Sequence, residues 1–96
     1  IYFGLYRTKT GNMNGYTYGL RTFGKDEIEV LETKVSPIEL RDFLADVSYY
    51  ILENDAELKD GDTIGFTADM KLSITLSKSV SIDGETLKIN YMPSNA

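Results

Sequence analysis

The sequence predicts an α+β domain: an antiparallel sheet of about five to six strands with one amphipathic helix, at about residues 37–53, packed on one face, in the order β-β-β-α-β-β-β. Three observations predict it. Leu40, Leu44, Val47 and Ile51 recur at the spacing of a single helical face. From Leu72 onward, apolar and hydroxyl side chains alternate with the period of a half-buried strand. The stretches between strand-like runs are short and rich in Gly, Asn and Asp, which favours hairpins and therefore antiparallel neighbours.

Residues 1–8 read as a strand that is apolar on both sides, with Ile1, Phe3 and Leu5 on one face and Tyr2 and Tyr6 on the other. The turn from Thr10 to Gly15 is expected to hairpin it onto a second strand at 16–23. Gly24, Lys25 and Asp26 break the pattern, and 27–33 reads as a third strand with Ile28 and Val30 on one face.

Ser36, Pro37 and Glu39 specify the helix start: a hydroxyl at the cap, Pro at the first helical position and Glu three residues after the cap. Phe43 and Tyr50 widen the apolar stripe, Glu39, Asp42 and Asp46 look outward, and Asn54 is the expected left-handed terminator. A short strand at 63–66 follows the acidic turn. The long alternating strand has Leu72, Ile74, Leu76, Val80 and Ile82 on its inner side and Ser73, Thr75, Ser77, Ser79 and Ser81 on its outer side. Lys78 interrupts the inner side, a sign of a bulge or of a division into two. Asp83-Gly84 signals a two-residue hairpin that returns Leu87, Ile89 and Tyr91 beside Ile82 and Val80.

A chain of 96 residues suits one domain, read here as 1–93 with a disordered tail at 94–96. Ile1 already lies in a strand pattern with no Met before it, so the chain is expected to be the C-terminal part of a longer protein. There is no Cys and no His. That removes disulfides, thiolate and imidazole metal sites, and the Ser-His and Cys-His catalytic pairs. No apolar run is long enough to cross a bilayer, and the expected location is cytoplasmic.

The net charge of −5 arises within residues 53–69, where Glu53, Asp55, Glu57, Asp60, Asp62 and Asp69 face a single base, Lys59; the remaining acids and bases cancel. Charge gathered at one pole makes a local field, and a negative one disfavours nucleic acid and anionic membranes as partners. Glu53, Asp55, Glu57, Asp60 and Asp62 are therefore the candidate partner-binding residues, and a basic protein or a second copy meeting it at a sheet edge is the expected partner. Glu53, Asp55 and Glu57 also follow a helix C-terminus, where the helix dipole disfavours acids.

Other constellations weaken on inspection. Asp60, Asp62 and Asp69 suggest a calcium loop, but counting from Asp60 places Ile64 fifth and Lys71 twelfth, where a bidentate Glu is required. As an acid–base pair, Asp60 and Asp62 merely flank a turn glycine. Tyr16 and Tyr18 share one strand face with Arg21 and Phe23 on the other, which does not make a base-stacking platform. Gly11 and Gly15 lack the Lys-Ser/Thr of a phosphate loop. No catalytic, cofactor-binding or metal-binding residue is assigned, and no cofactor is expected.

Two segments carry a family resemblance. Tyr49-Tyr50-Ile51-Leu52-Glu53-Asn54 followed by Leu58-Lys59-Asp60-Gly61-Asp62-Thr63-Ile64-Gly65, together with Tyr18-Gly19-Leu20-Arg21-Thr22-Phe23-Gly24, resembles the bacterial family known as domain of unknown function 4261, over roughly residues 16–91. The resemblance implies a C-terminal domain of a bacterial cytoplasmic protein and supplies no catalytic residues. The expected function is accordingly a non-enzymatic binding or interaction domain. The alternatives are the structural C-terminal half of a larger fold whose site lies elsewhere, and a carboxylate- and metal-dependent enzyme.

Overall fold

A computed structural model of the chain describes residues 1–67 and 70–91. Asp69 and the tail 94–96, both singled out above, lie outside the described residues. Six strands form one sheet in the order β1-β2-β3-β6-β5-β4: β1 (Tyr2–Arg7), β2 (Met13–Tyr18), β3 (Ile28–Thr33), β4 (Thr63–Thr67), β5 (Met70–Lys78) and β6 (Glu85–Ile89). Among the described residues one α-helix, α1 (Pro37–Asn54), lies between β3 and β4 in the chain. The α+β class, the helix and the strand count agree with the sequence.

The sheet is mixed and not wholly antiparallel, because β3 pairs in parallel with β6. Direction explains it. Each successive element reverses the chain, so β3, β4 and β6 run the same way, and β6 meets β3 in the middle of the sheet. Hairpin reasoning constrained only sequence neighbours, and these two are not neighbours.

The second strand ends sooner than its pattern suggested. β2 stops at Tyr18, and Leu20–Phe23 turns into a short 3₁₀ helix entered through Gly19 at φ 130°. The backbone amides at its start are satisfied by a side chain. The wholly buried Glu27 carboxylate accepts from Gly19 N at 2.9 Å, Leu20 N at 3.1 Å, Arg21 N at 3.2 Å and the Thr17 hydroxyl at 2.8 Å. A carboxylate at a helix N-terminus with four donors is a favourable solvent substitute.

The β5–β6 connection also departs from expectation. β5 ends at Lys78, the residue that broke its alternation, and a six-residue loop, 79–84, replaces the two-residue hairpin. Gly84 does take positive φ, 88°, while Val80 is exposed; Leu76 and Ile74, not Val80 and Ile82, sit opposite Leu87 and Ile89. The Arg21 guanidinium holds the loop by donating to Asp83 O at 2.7 Å and Glu85 O at 3.3 Å.

The core lies between α1 and one sheet face. Leu40, Phe43, Leu44, Val47 and Ile51 of the helix meet Ile28, Val30, Leu72, Ile74, Leu87 and Ile89 of the sheet. Gly15 of β2 lets the helix approach, since a Cβ there would lie 2.9 Å from Leu40 and 3.0 Å from Leu44. Phe43 stacks on Tyr91, with centroids 3.8 Å apart and planes within 5°. At the helix start, Ser36 Oγ accepts from Glu39 N at 3.2 Å, as the capping pattern required. At its end Asp55, at φ 50°, is the left-handed residue, one position beyond Asn54.

Candidate interaction surface

The acidic stretch is not a bare negative pole. Lys25, from the β2–β3 connection, reaches it with a side chain only 8% exposed and places Nζ 2.6 Å from Asp55 and 2.8 Å from Glu57. These hydrogen bonds and charges hold the Asp55 carboxyl below the usual carboxylate range and push the Lys25 ammonium above its ordinary value. Asp60 and Asp62 are turn-builders: Asp60 accepts from Leu76 N at 2.8 Å and Asp62 from Lys59 N at 2.9 Å. Glu53, Asp55, Glu57 and Asp60 are nonetheless exposed, with Asp62 half-buried, so their charges still face solvent.

Beside this stretch the helix leaves part of the sheet uncovered. A cavity of about 340 Å³ opens between α1 and β4, lined by Asp46, Val47, Tyr50, Leu58, Thr63, Ile64 and Gly65. Gly65 is its open floor, because a Cβ built there meets nothing within 4 Å. A second concavity of about 410 Å³ continues along the same helix flank, with Glu39, Asp42, Phe43, Asp46 and Tyr91 among its walls. Asp46 belongs to both. The Tyr91 phenol donates to Glu39 Oε2 at 3.1 Å; burial first, and then Glu39 and Asp46, push its pKa up to about 12.

The sheet face away from α1 carries a feature that sequence reasoning missed. The pairings align Gly4, Tyr16, Glu29, Lys88 and Thr75 in one row across five strands. Glu29 is wholly buried, with Oε1 2.8 Å from the Thr86 hydroxyl and 3.4 Å from Lys88 Nζ. Its Oε2 has no partner within hydrogen-bonding geometry, although the Ser81 and Ser79 hydroxyls of loop 79–84 act on the carboxyl. Burial, the largest influence, favours the neutral acid; Ser81, Thr86, Ser79 and Lys88 together outweigh it and hold the pKa below the ordinary value. The visible signal was the alternation of Glu27 and Glu29 with Ile28 and Val30, and of Thr86 and Lys88 with Leu87 and Ile89. Nothing local indicated that the two patterns would face each other.

Tyr16 and Tyr18 do not form a platform with Arg21 and Phe23. The Tyr16 ring lies over Gly4, while Arg21 and Phe23 leave the sheet on the 3₁₀ helix. Among the described residues, no three carboxylates converge to hold a metal ion, and no helix is long and apolar enough to cross a membrane.

Neither a curated protein nor a solved structure matches the chain. The model of the family described as Domain of unknown function (DUF4261) matches residues 16–90, from the middle of β2 to the residue after β6. That span holds the helix, the uncovered cavity and the Glu29–Lys88 pair, and this chain belongs to the DUF4261 family.

Proposed function

We propose that this chain is a non-enzymatic binding domain of a bacterial cytoplasmic protein and receives a basic partner protein on the acidic flank of α1. One observation supports it above others: two adjoining concavities with partly apolar walls are lined by Glu39, Asp42 and Asp46, and no Lys or Arg among the described residues lines either. A basic side chain entering there buries its aliphatic stem against Val47, Leu58 and Ile64 and its charge against Asp46 and the Tyr50 ring. Asp60 and Asp62 stand on the turn between Leu58 and Thr63, both cavity-lining residues. Together with Glu53, Asp55 and Glu57 they extend the same field outward and steer approach.

An arginine-rich peptide titrated into labelled protein at low and high salt tests the reading. Amide shifts are expected at Val47, Tyr50, Leu58 and Gly65, weaker at high salt, and lost in Asp46→Asn and in Gly65→Leu, which fills the cavity floor. Shifts scattered evenly over the exposed carboxylates, or none, would remove the support for this surface.

A further inference from the structure

β1 is an edge strand that, among the described residues, is guarded by no Pro, bulge or inward charge between Tyr2 and Tyr6. Edge strands are ordinarily guarded by Pro, by a bulge, by inward charges or by a covering element, because their unpaired amides and carbonyls template pairing with another strand. From Tyr2 to Tyr6, β1 has no charged residue and no Pro, and its pairing with β2 is regular throughout. Both of its faces also want a neighbour. Tyr2 is 62% exposed and Tyr6 39% on the side away from the helix, and Phe3 and Leu5 are only partly buried on the helix side.

We propose that β1 pairs antiparallel with β1 of a second copy of this chain, joining two six-stranded sheets into one. A two-fold axis perpendicular to the sheet keeps each side chain on its own face, so facing residues must share parity, and the axis centred on Gly4 satisfies this. It sets Tyr2 against Tyr6 of the partner subunit, Phe3 against Leu5 of the partner subunit, and Gly4 against itself. Aromatic pairs therefore fall on the open face and apolar pairs on the helix side, the combinations that stabilise neighbouring strands. The glycine seam is covered, because Tyr16 already lies on Gly4 from the adjacent strand, the device by which an aromatic ring rescues a glycine in a sheet.

Self-complementarity favours a second copy over an unrelated strand: in this register no two charged side chains face each other from residue 2 to residue 6. Arg7, the one charge on the strand, is at its end and is occupied with Gly11 O at 2.8 Å. The turn bearing Asp60 and Asp62 leads into β4, at the opposite edge of the sheet, so two chains of net charge −5 meet at the border away from that turn. A six-residue edge buries less than the ~1,200 Å² of a stable interface, so the dimer is weak and concentration-dependent.

Sedimentation of the chain across a broad concentration range should show mass rising from one copy to two with little dependence on salt, unlike the acidic-flank interaction. Tyr2→Lys places a charge on the seam and should weaken dimerisation on the order of tenfold, with an unchanged circular dichroism spectrum. The absence of cysteine provides a register test. Under mild oxidation the double variant Tyr2→Cys/Tyr6→Cys should cross-link covalently, because positions 2 and 6 stand opposite each other, whereas either single variant should not. A wild-type chain that stays monomeric at millimolar concentration overturns the proposal. So does a dimer whose affinity Tyr2→Lys leaves unchanged, cross-linking by a single variant, or a different strand found on this edge.

Discussion

Glu29 and Lys88, far apart in sequence, stand opposite each other on the two central parallel strands, with the ammonium 3.4 Å from a carboxylate that is wholly buried. Lys88 Nζ also donates to Ser77 O and Lys78 O, each at 2.9 Å, so one cation ties three strands together. Removing one member leaves the other buried without its counter-charge. Lys88→Met is expected to cost about 3 kcal/mol or more, and the double variant Lys88→Met/Glu29→Gln less than Lys88→Met alone. Urea denaturation of the wild type, Lys88→Met, Glu29→Gln and the double variant measures both; a double loss equal to the sum of the two single losses would mean that the pair is not coupled.

The same carboxylate sets an acid limit. The Glu29 pKa is lower in the folded chain than in the unfolded one, so its contribution is present above the unfolded value of about 4.5 and disappears as pH falls through the folded value. Stability should decline on acidification below about pH 4.5, and Glu29→Gln should flatten that decline. Denaturation midpoints of both proteins between neutral and acid pH test this, and parallel curves would assign the acid sensitivity to other groups.

Ser36→Ala removes the acceptor for Glu39 N at the helix start and should destabilise the chain by about 0.5–2 kcal/mol. Ser36→Asp should restore most of the loss, since Asp is an equivalent cap.

At Gly84 two penalties combine. Its φ of 88° disfavours any side chain, and a Cβ would lie 2.9 Å from the Arg21 guanidinium that clamps the loop. Gly84→Val is expected to cost about 1–3 kcal/mol by thermal or chemical denaturation.

Ser48 is 2% exposed within the helix and its hydroxyl has no hydrogen-bond partner among the described residues. Ser48→Ala removes an unsatisfied group and installs a better helix former, so stability should rise by about 1 kcal/mol. A loss instead would show that the hydroxyl is bonded in solution.

Which features were legible follows from the range of the forces that make them. The helix was readable because its cap, its Pro and its apolar stripe all act within a few residues, and only its terminator moved, from Asn54 to Asp55. β5 was readable to Lys78, where the interruption in its pattern proved to be the strand's end. The 3₁₀ turn after β2 was hidden because its stabiliser, Glu27, follows it in sequence and reads as part of a strand. The acidic stretch was recognised as charged, but its pairing with Lys25 depends on a base some thirty positions earlier. The cavity beside Asp46 was invisible for a related reason: it exists because the sheet is wider than the one helix covering it.

The parallel seam between β3 and β6 bears on how the chain reaches its fold. Strands β1 to β3 pair with their neighbours in sequence, as do β4 to β6, so each three-stranded unit is built from local antiparallel pairings that assemble rapidly. Joining them brings Ile28 to Leu87 across most of the chain, so the slow event is one docking step with a large entropy of closure. Trimming Leu87, which is buried at that seam, should therefore slow folding, while the cost of Ser36→Ala falls on whichever rate reports helix formation. Stopped-flow kinetics would separate the two. If Leu87→Ala changes only the unfolding rate, the halves meet after the barrier and not at it.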